Sequence, residues 1–382
     1  MTGHKRNIFP GGNTPHGFHS YYNYIIEQNK AEKIFCIKGG PGTGKSTLMK
    51  EIGELFISRG EDVDFLWCSS DPESLDGILI RERRIALVDG TSPHITDPVN
   101  PGAVDKIIDM GECWDEETLR LDRDRITSIN VRTGRFFKLA YGYLHCAGTY
   151  RDFISHIMDE MITEGQKRDA FMQLSMAIDS VPAVKRAEAH VKNDHAMGRD
   201  GRVGIEKKFF ADAITPAGIR SGLESLVENT GRLVIIKTAA GFNTGKMIAA
   251  VSDRLRYAGF DTELYYCPMS PDKRPEHIVC AEADLAVVTE NEYHSLPAER
   301  HSSRKTRVIE IDPYENGKNF SCDILPDLKV KLHENIDKAI KMLAQAKKCH
   351  DELESCYISA MDFHKCGLMK ESIINEIENI LK

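Results

Sequence analysis

Lys38-Gly-Gly-Pro-Gly-Thr-Gly-Lys-Ser-Thr47 follows directly on the apolar run Ile34-Phe-Cys-Ile37. The order predicts a strand, a glycine-rich turn and a helix that opens at Lys45. Glycines at 39, 40, 42 and 44 let successive backbone N–H groups turn inward without Cβ clashes, the geometry that wraps phosphate oxygens. The N-terminus of the following helix adds a partial positive charge. The Lys45 ammonium has the reach for β- and γ-phosphates, and the Ser46 hydroxyl is an oxygen ligand suited to Mg²⁺. Gly39, Gly40, Pro41, Gly42, Thr43, Gly44, Lys45, Ser46 and Thr47 are therefore the candidate nucleotide-binding set.

Outward from this loop, the chain repeats itself. Thr14-Pro15 and Thr215-Pro216 lie 201 positions apart, as do Thr43-Gly-Lys45 and Thr244-Gly-Lys246. Arg59-Gly-Glu-Asp-Val-Asp-Phe-Leu-Trp-Cys68 parallels Ala258-Gly-Phe-Asp-Thr-Glu-Leu-Tyr-Tyr-Cys267, and Asp71-Pro72 parallels Ser270-Pro271. Ile85-Ala-Leu-Val-Asp89 parallels Leu285-Ala-Val-Val-Thr289, and His94 parallels His294. A register held between 199 and 201 over this length indicates a tandem duplication.

Each copy reads as strand, loop, helix (Lys45 to about Ser58; Lys246 to about Tyr257), second strand, loop and third strand ending at Asp89 or Thr289. A further strand is expected at Lys106 to Asp109 and at Arg307 to Ile311. Short apolar strands alternating with amphipathic helices predict an α/β fold, two doubly wound parallel-sheet domains in tandem. Ligands of such sheets bind at the C-terminal strand ends. From about 116 to 164, and from about 332 to 381, apolar residues recur at helical spacing, so each core is expected to carry a helical hairpin. The domains are expected at 1–195, with a helical segment over about 115–190, and at 205–382, with a hairpin over about 332–382. Val191 to Gly204, rich in glycine and charge, reads as the junction.

The copies differ where the chemistry lies. Gly39, Gly42 and Ser46 become Ala240, Asn243 and Met247; Asp89 becomes Thr289 and Asp71 becomes Ser270. A thioether does not replace a hydroxyl on a hard cation. Lys246 would keep one phosphate-facing charge, so the first half is expected to hold one competent site and the second a degenerate one. Whether the second loop, Gly241 to Lys246, binds nucleotide stays open.

Asp89 ends an apolar strand 44 positions after Lys45, as a residue that orients Mg²⁺ would. Gly90 stands where many such enzymes place a water-activating glutamate. Asp71 and His94 are alternatives at the same sheet edge, although Asp71 in Ser-Ser-Asp-Pro is also a good loop cap and His94 a plain loop histidine. Of Arg81, Arg83, Arg84, Arg120, Arg123, Arg125, Arg132 and Arg135, most read as solvated faces; one could serve as a finger or lid residue offsetting γ-phosphate charge, and the sequence does not say which.

Lys45, Asp89 and Asp71 are the candidate catalytic residues, and Ser46 and Asp89 the candidate Mg²⁺ ligands.

Loop and strand end together resemble the P-loop NTPase superfamily, with Gly39 to Ser46 as Walker A and Asp89 as Walker B. The whole chain resembles a bacterial family of tandem P-loop ATPases. Gly-Gly-Asn-Thr-Pro-His-Gly-Phe (11–18), Cys-Ser-Ser-Asp-Pro-Glu-Ser-Leu-Asp-Gly (68–77), Val-Asp-Gly-Thr-Ser-Pro-His (88–94) and Ala-Ile-Thr-Pro-Ala-Gly (213–218) carry that likeness. It implies ATP binding and Mg²⁺-dependent hydrolysis, and little about substrate. That family pattern often keeps both loops intact, from which Ala240 and Met247 depart. Asn-Lys-x-Asp is absent, so adenine is preferred over guanine. A nucleotide or small-molecule kinase and a non-catalytic ATP-gated binding module are the alternatives.

A net charge of −8 argues against nucleic acid as a partner. No apolar run approaches a membrane span, and Met1 to Asn7 leads into Pro10-Gly-Gly rather than an apolar leader core. Ten scattered cysteines without a Cys-x-x-Cys pair suit a reducing, cytoplasmic setting and predict no zinc site. Cys68 and His94 read as a strand end and a loop residue rather than metal ligands. Apart from nucleotide, a substrate or protein partner is undefined.

Overall fold

A computed structural model describes residues 2–91, 97–194, 201–301, 305–314 and 324–380. In the first half the strands are β1 (Lys5–Ile8), β2 (Gly11–Thr14), β3 (Gly17–Ser20), β4 (Lys33–Lys38), β5 (Val63–Trp67), β6 (Leu75–Ile80), β7 (Ile85–Asp89) and β8 (Asp105–Asp109). Its helices are α1 (Lys45–Ser58), α2 (Glu116–Leu121), α3 (Arg123–Met161), α4 (Glu164–Asp179) and α5 (Pro182–Asp194). The second half repeats the strands as β9 (Glu206–Phe209), β10 (Asp212–Thr215), β11 (Gly218–Ser221), β12 (Arg232–Thr238), β13 (Thr262–Tyr266), β14 (Pro275–Cys280), β15 (Leu285–Glu290) and β16 (Thr306–Ile311). Its helices are α6 (Leu223–Val227), α7 (Gly245–Tyr257), α8 (Ala298–His301), α9 (Ile324–Ile358) and α10 (Phe363–Asn379).

Each half builds a six-stranded sheet, ordered β1-β5-β6-β7-β4-β8 and β9-β13-β14-β15-β12-β16. The two orders are the same order. Both interrupt the pairing at the same place, between Leu66 and Trp67 and between Tyr265 and Tyr266. The sheets are mixed rather than wholly parallel, because β6 and β14 run antiparallel to both neighbours. The residues from Cys68 to Gly77, read from sequence as a loop, turn back at Ser74 and enter the sheet. Leu75–Ile80 is buried at every position, so it lacks the alternation that marks a half-exposed strand.

Alternation within β4 sorts its side chains between two cores. Phe35 and Ile37 join Leu48, Met49, Ile52 and Phe56 of α1 on the outer face. Ile34 and Cys36 join Leu233, Ile235, Ala286 and Val288 of the other sheet. Each sheet thus carries helices on one face and meets its counterpart on the other. Phe9 and Phe210, equivalent residues of the two copies, exchange both backbone hydrogen bonds at 3.1 and 3.0 Å. That reciprocal pair is what a local two-fold axis makes.

The helices cross between halves. Ile373 and Ile377 of α10 pack into the core of the first sheet, whereas Leu174, Ala177 and Ile178 of α4 and Val184 of α5 pack into that of the second. The two long helices α3 and α9 lie antiparallel: Leu144 meets Leu343, and Ile129 meets Cys349 and Leu353. At 1.5 Å per residue each is about 50–60 Å long, enough to reach from one sheet's edge to the other's. No helix among the described residues is long and apolar enough to cross a membrane. The expected junction falls partly on 195–200, outside the described residues.

Candidate functional site

The loop after β4 and the start of α1 open onto a cleft of about 570 Å³. Pro41 to Thr47, Asp71, Asp76 and Asp89 line it, together with Lys50. The opposite wall comes from Ala346, Lys347, His350, Leu353, Glu354 and Ile358 of α9, and from Asn130, Thr133 and Phe137 of α3. A first-half loop is therefore roofed by a second-half helix.

The loop backbone is left-handed at Gly42 (φ 69°) and at Gly44 (φ 86°), the residue that caps α1. A Cβ at Gly42 would stand 2.8 Å from the backbone oxygen of Glu354, so α9 tolerates no side chain there. The Lys45 ammonium is turned back into the loop, donating to the carbonyls of Gly39 (2.7 Å) and Gly40 (2.8 Å) and standing 3.7 Å from Asp89 Oδ2. Burial lowers its pKa; the carboxylates of Asp89, Glu354 and Asp76 act against that shift. Glu354 is held below the usual carboxylate range, chiefly by its hydrogen bond with His350, and the Gly42 amide adds to this.

Ser46 Oγ accepts the Leu75 amide at 2.9 Å. Asp89 Oδ1 accepts the Thr91 amide at 2.8 Å, which fixes the carboxylate at the strand end. Asp71 is tied down: its carboxylate accepts from the Glu73 amide and the Ser74 hydroxyl, and Lys347 lies 3.3 Å away. The loop-capping reading of Asp71 describes these contacts. His94 lies outside the described residues. The arginines before the third strand point away, Arg81 to Asp62, Arg83 to Glu61 and Arg84 to Glu32, and Arg132 pairs with Glu352. Lysines 45, 50 and 347 supply the cations on the cleft instead.

Sequence reading missed Asp76. It is 2% exposed, sits on β6 one residue before Gly77, and Gly77 pairs with Val88; antiparallel register therefore sets Asp76 across from Asp89. The Tyr22 hydroxyl donates to it at 2.5 Å. The duplication held a signal, since Glu276 keeps an acid at the matching place. Lys347 and Glu354 were invisible because they arrive from 300 residues away.

The second loop is built otherwise. Arg274 donates to the carbonyls of Gly241 (3.3 Å) and Phe242 (2.5 Å), so the loop presents acceptors to a guanidinium rather than donors to an anion. Thr289 shares a 2.6 Å hydrogen bond with Thr244. Lys246 is exposed and does not line the adjoining cavity, so the expectation that it keeps a phosphate-facing charge is corrected. The helix there begins one residue earlier, at Gly245, behind a right-handed Thr244 in place of left-handed Gly44. A Cβ at Gly241 would lie 2.6 Å from Ile154 of α3, the counterpart of the α9 contact on Gly40, where a Cβ would stand 2.8 Å from Tyr357. Comparison of the chain with family models, curated proteins and solved structures found no match.

Proposed function

We propose that the first half binds ATP in the α1 cleft and hydrolyses it. The observation that carries this is the convergence of a glycine loop, a half-buried lysine at a helix N-terminus, and two carboxylates at adjacent strand positions. Phosphate oxygens would draw the Lys45 ammonium out of its contacts with the Gly39 and Gly40 carbonyls, exchanging neutral acceptors for charged ones. The loop amides and the α1 N-terminus would hold the same anion.

Ser46 and Asp89 offer oxygen donors on one cleft, a set that suits Mg²⁺. Mg²⁺ would neutralise charge on the phosphates. Asp76 takes the role that Gly90 cannot: a buried carboxylate beside Asp89, placed to orient a water and accept its proton. Asp71 is committed to its own loop and to Lys347, away from Asp89. The ATP-gated module is the second reading, favoured by the Gly42 contact with α9: nucleotide entering there must shift Glu354.

Titration calorimetry of the intact protein with Mg²⁺ and ATP tests the proposal. One tight equivalent is expected, with phosphate released on turnover. Absence of heat at millimolar nucleotide would end both readings; binding without turnover would leave the module alone.

A further inference from the structure

The second half, where it lost the groups for phosphate and Mg²⁺, gained others. By the register of the duplication Asp212 replaces Gly11 and His277 replaces Gly77, while His294 matches His94. The structure brings Asp212, His277 and His294 together: one ligand atom from each lies within 4.8 Å of the others, and all three residues are buried. Asp212 Oδ1, His277 Nε2 and His294 Nδ1 have no hydrogen-bond partner in the protein. A buried polar atom left so is costly, and three in one place call for a common occupant. His294 Nδ1 comes within 2.8 Å of Asp212 Oδ2 without hydrogen-bond alignment, as ligand atoms aimed at a shared point do.

The outer groups fit the same reading. Glu276 Oε2 lies 2.8 Å from His294 Nε2, the carboxylate behind a histidine that typically orients a metal ligand and raises its basicity. Asp212 and His294 also line a small cavity of about 80 Å³, walled by Ile214, Met269, Leu332 and Ile336, which leaves room for water as a further ligand.

We infer that Asp212, His277 and His294 form a binding site for a late first-row divalent cation such as Zn²⁺, independent of the first cleft. Two imidazoles are borderline donors and the carboxylate a hard one, a mixed set suited to Zn²⁺ and poorly suited to Mg²⁺, which takes oxygen ligands. The Thr289 amide donates to His277 Nδ1 across 3.2 Å, which puts that ring's proton on Nε2. Coordination through Nε2 moves the proton to Nδ1 and gives up the long amide contact, so His277 is the ligand held least firmly. At His294 the metal–nitrogen bond replaces N–H at Nδ1, and the proton passes to solvent.

The test uses the intact chain, stripped with a chelator and titrated with Zn²⁺. One equivalent should bind. His294→Ala and Asp212→Ala should each weaken uptake at least a hundredfold, His277→Ala less, and Glu276→Gln about 10–100-fold with stoichiometry kept. Lys45→Ala should leave it unchanged, which separates this site from the nucleotide proposal. Co²⁺ in place of Zn²⁺ should show no thiolate charge-transfer absorption, as an N/O set requires. No uptake by the wild type, unaltered uptake by His294→Ala, or a thiolate spectrum would overturn the site. Should the alanine variants unfold by circular dichroism, the wild-type titration, the Co²⁺ spectrum and Glu276→Gln decide it.

Discussion

The two loops of this chain share a lysine and little else. Lys45 is half-buried at the head of α1, facing Asp89; Lys246 stands in solvent at the head of α7. The first loop is held open by glycines in left-handed conformation and roofed by α9. The second is fastened shut by Arg274. A shared letter in a motif therefore does not carry a shared role: the helix start, one residue earlier in the second copy, decides where the ammonium points.

The largest test of that contrast is a pair of substitutions. Lys45→Ala should lower ATP turnover by about a thousandfold, since it removes the charge proposed to meet the phosphates, on the order of 4 kcal/mol of barrier. Lys246→Ala should leave turnover within about twofold. A steady-state assay reads both, and equal losses would erase the distinction.

Next comes the pair of acids on β6 and β14. Asp76→Asn should lower kcat about a hundredfold with KM little changed, the signature of a group acting on the reacting water. Glu276→Gln, its counterpart, should leave kcat alone. A raised KM with unchanged kcat for Asp76→Asn would move that residue from chemistry to binding.

The crossing of helices is tested by stability. Ile377 of α10 is fully buried in the first sheet's core and Leu174 of α4 is 1% exposed in the second's. Ile377→Ala and Leu174→Ala should each cost about 2–5 kcal/mol in denaturant unfolding. Bound nucleotide should protect against both if the halves unfold as one cooperative unit. Protection confined to one variant would show that the halves melt apart.

A smaller effect follows from an asymmetry at the seam. Arg6 of the first half bonds Asp64 at 2.7 Å and Glu263 of the second half at 2.8 Å. Its counterpart Lys207 reaches the Ile25 carbonyl at 3.5 Å. Burial alone would raise the Glu263 pKa, but the charge and hydrogen bond of Arg6, with the charges of Lys207 and Arg81, together bring the value down to about 2. The resulting stability is present above the unfolded value of about 4.3 and is lost as pH falls toward 2. Thermal melts between pH 5 and 2.5 should show a steeper fall for the wild type than for Glu263→Gln. Parallel slopes would remove that contribution.

Much of this was legible in the chain. The glycine loop located the cleft because its spacing has few other uses, and the internal repeat foretold two like sheets. Both α1 boundaries, Lys45 and Ser58, follow from the motif and from the glycine turn at Gly60. The antiparallel strand β6 was not legible, since a strand buried on both faces shows no period. Nor were Asp76, which that strand carries, and Lys347 and Glu354, whose nearness to Lys45 depends on a helix from the far half folding back. Asp212 and His277 escaped notice because the comparison looked for what the second copy had lost.

The exchange of backbone hydrogen bonds between Phe9 and Phe210, with each half's helices lent to the other's sheet, bears on where such a chain comes from. A single half-length gene product would have had to associate with a copy of itself to cover its own sheet. Fusion would then have released the two copies from identical duty, so that one loop could stay while the other drifted. On this account, nicking the peptide between residues 195 and 200 should leave two fragments that remain entwined.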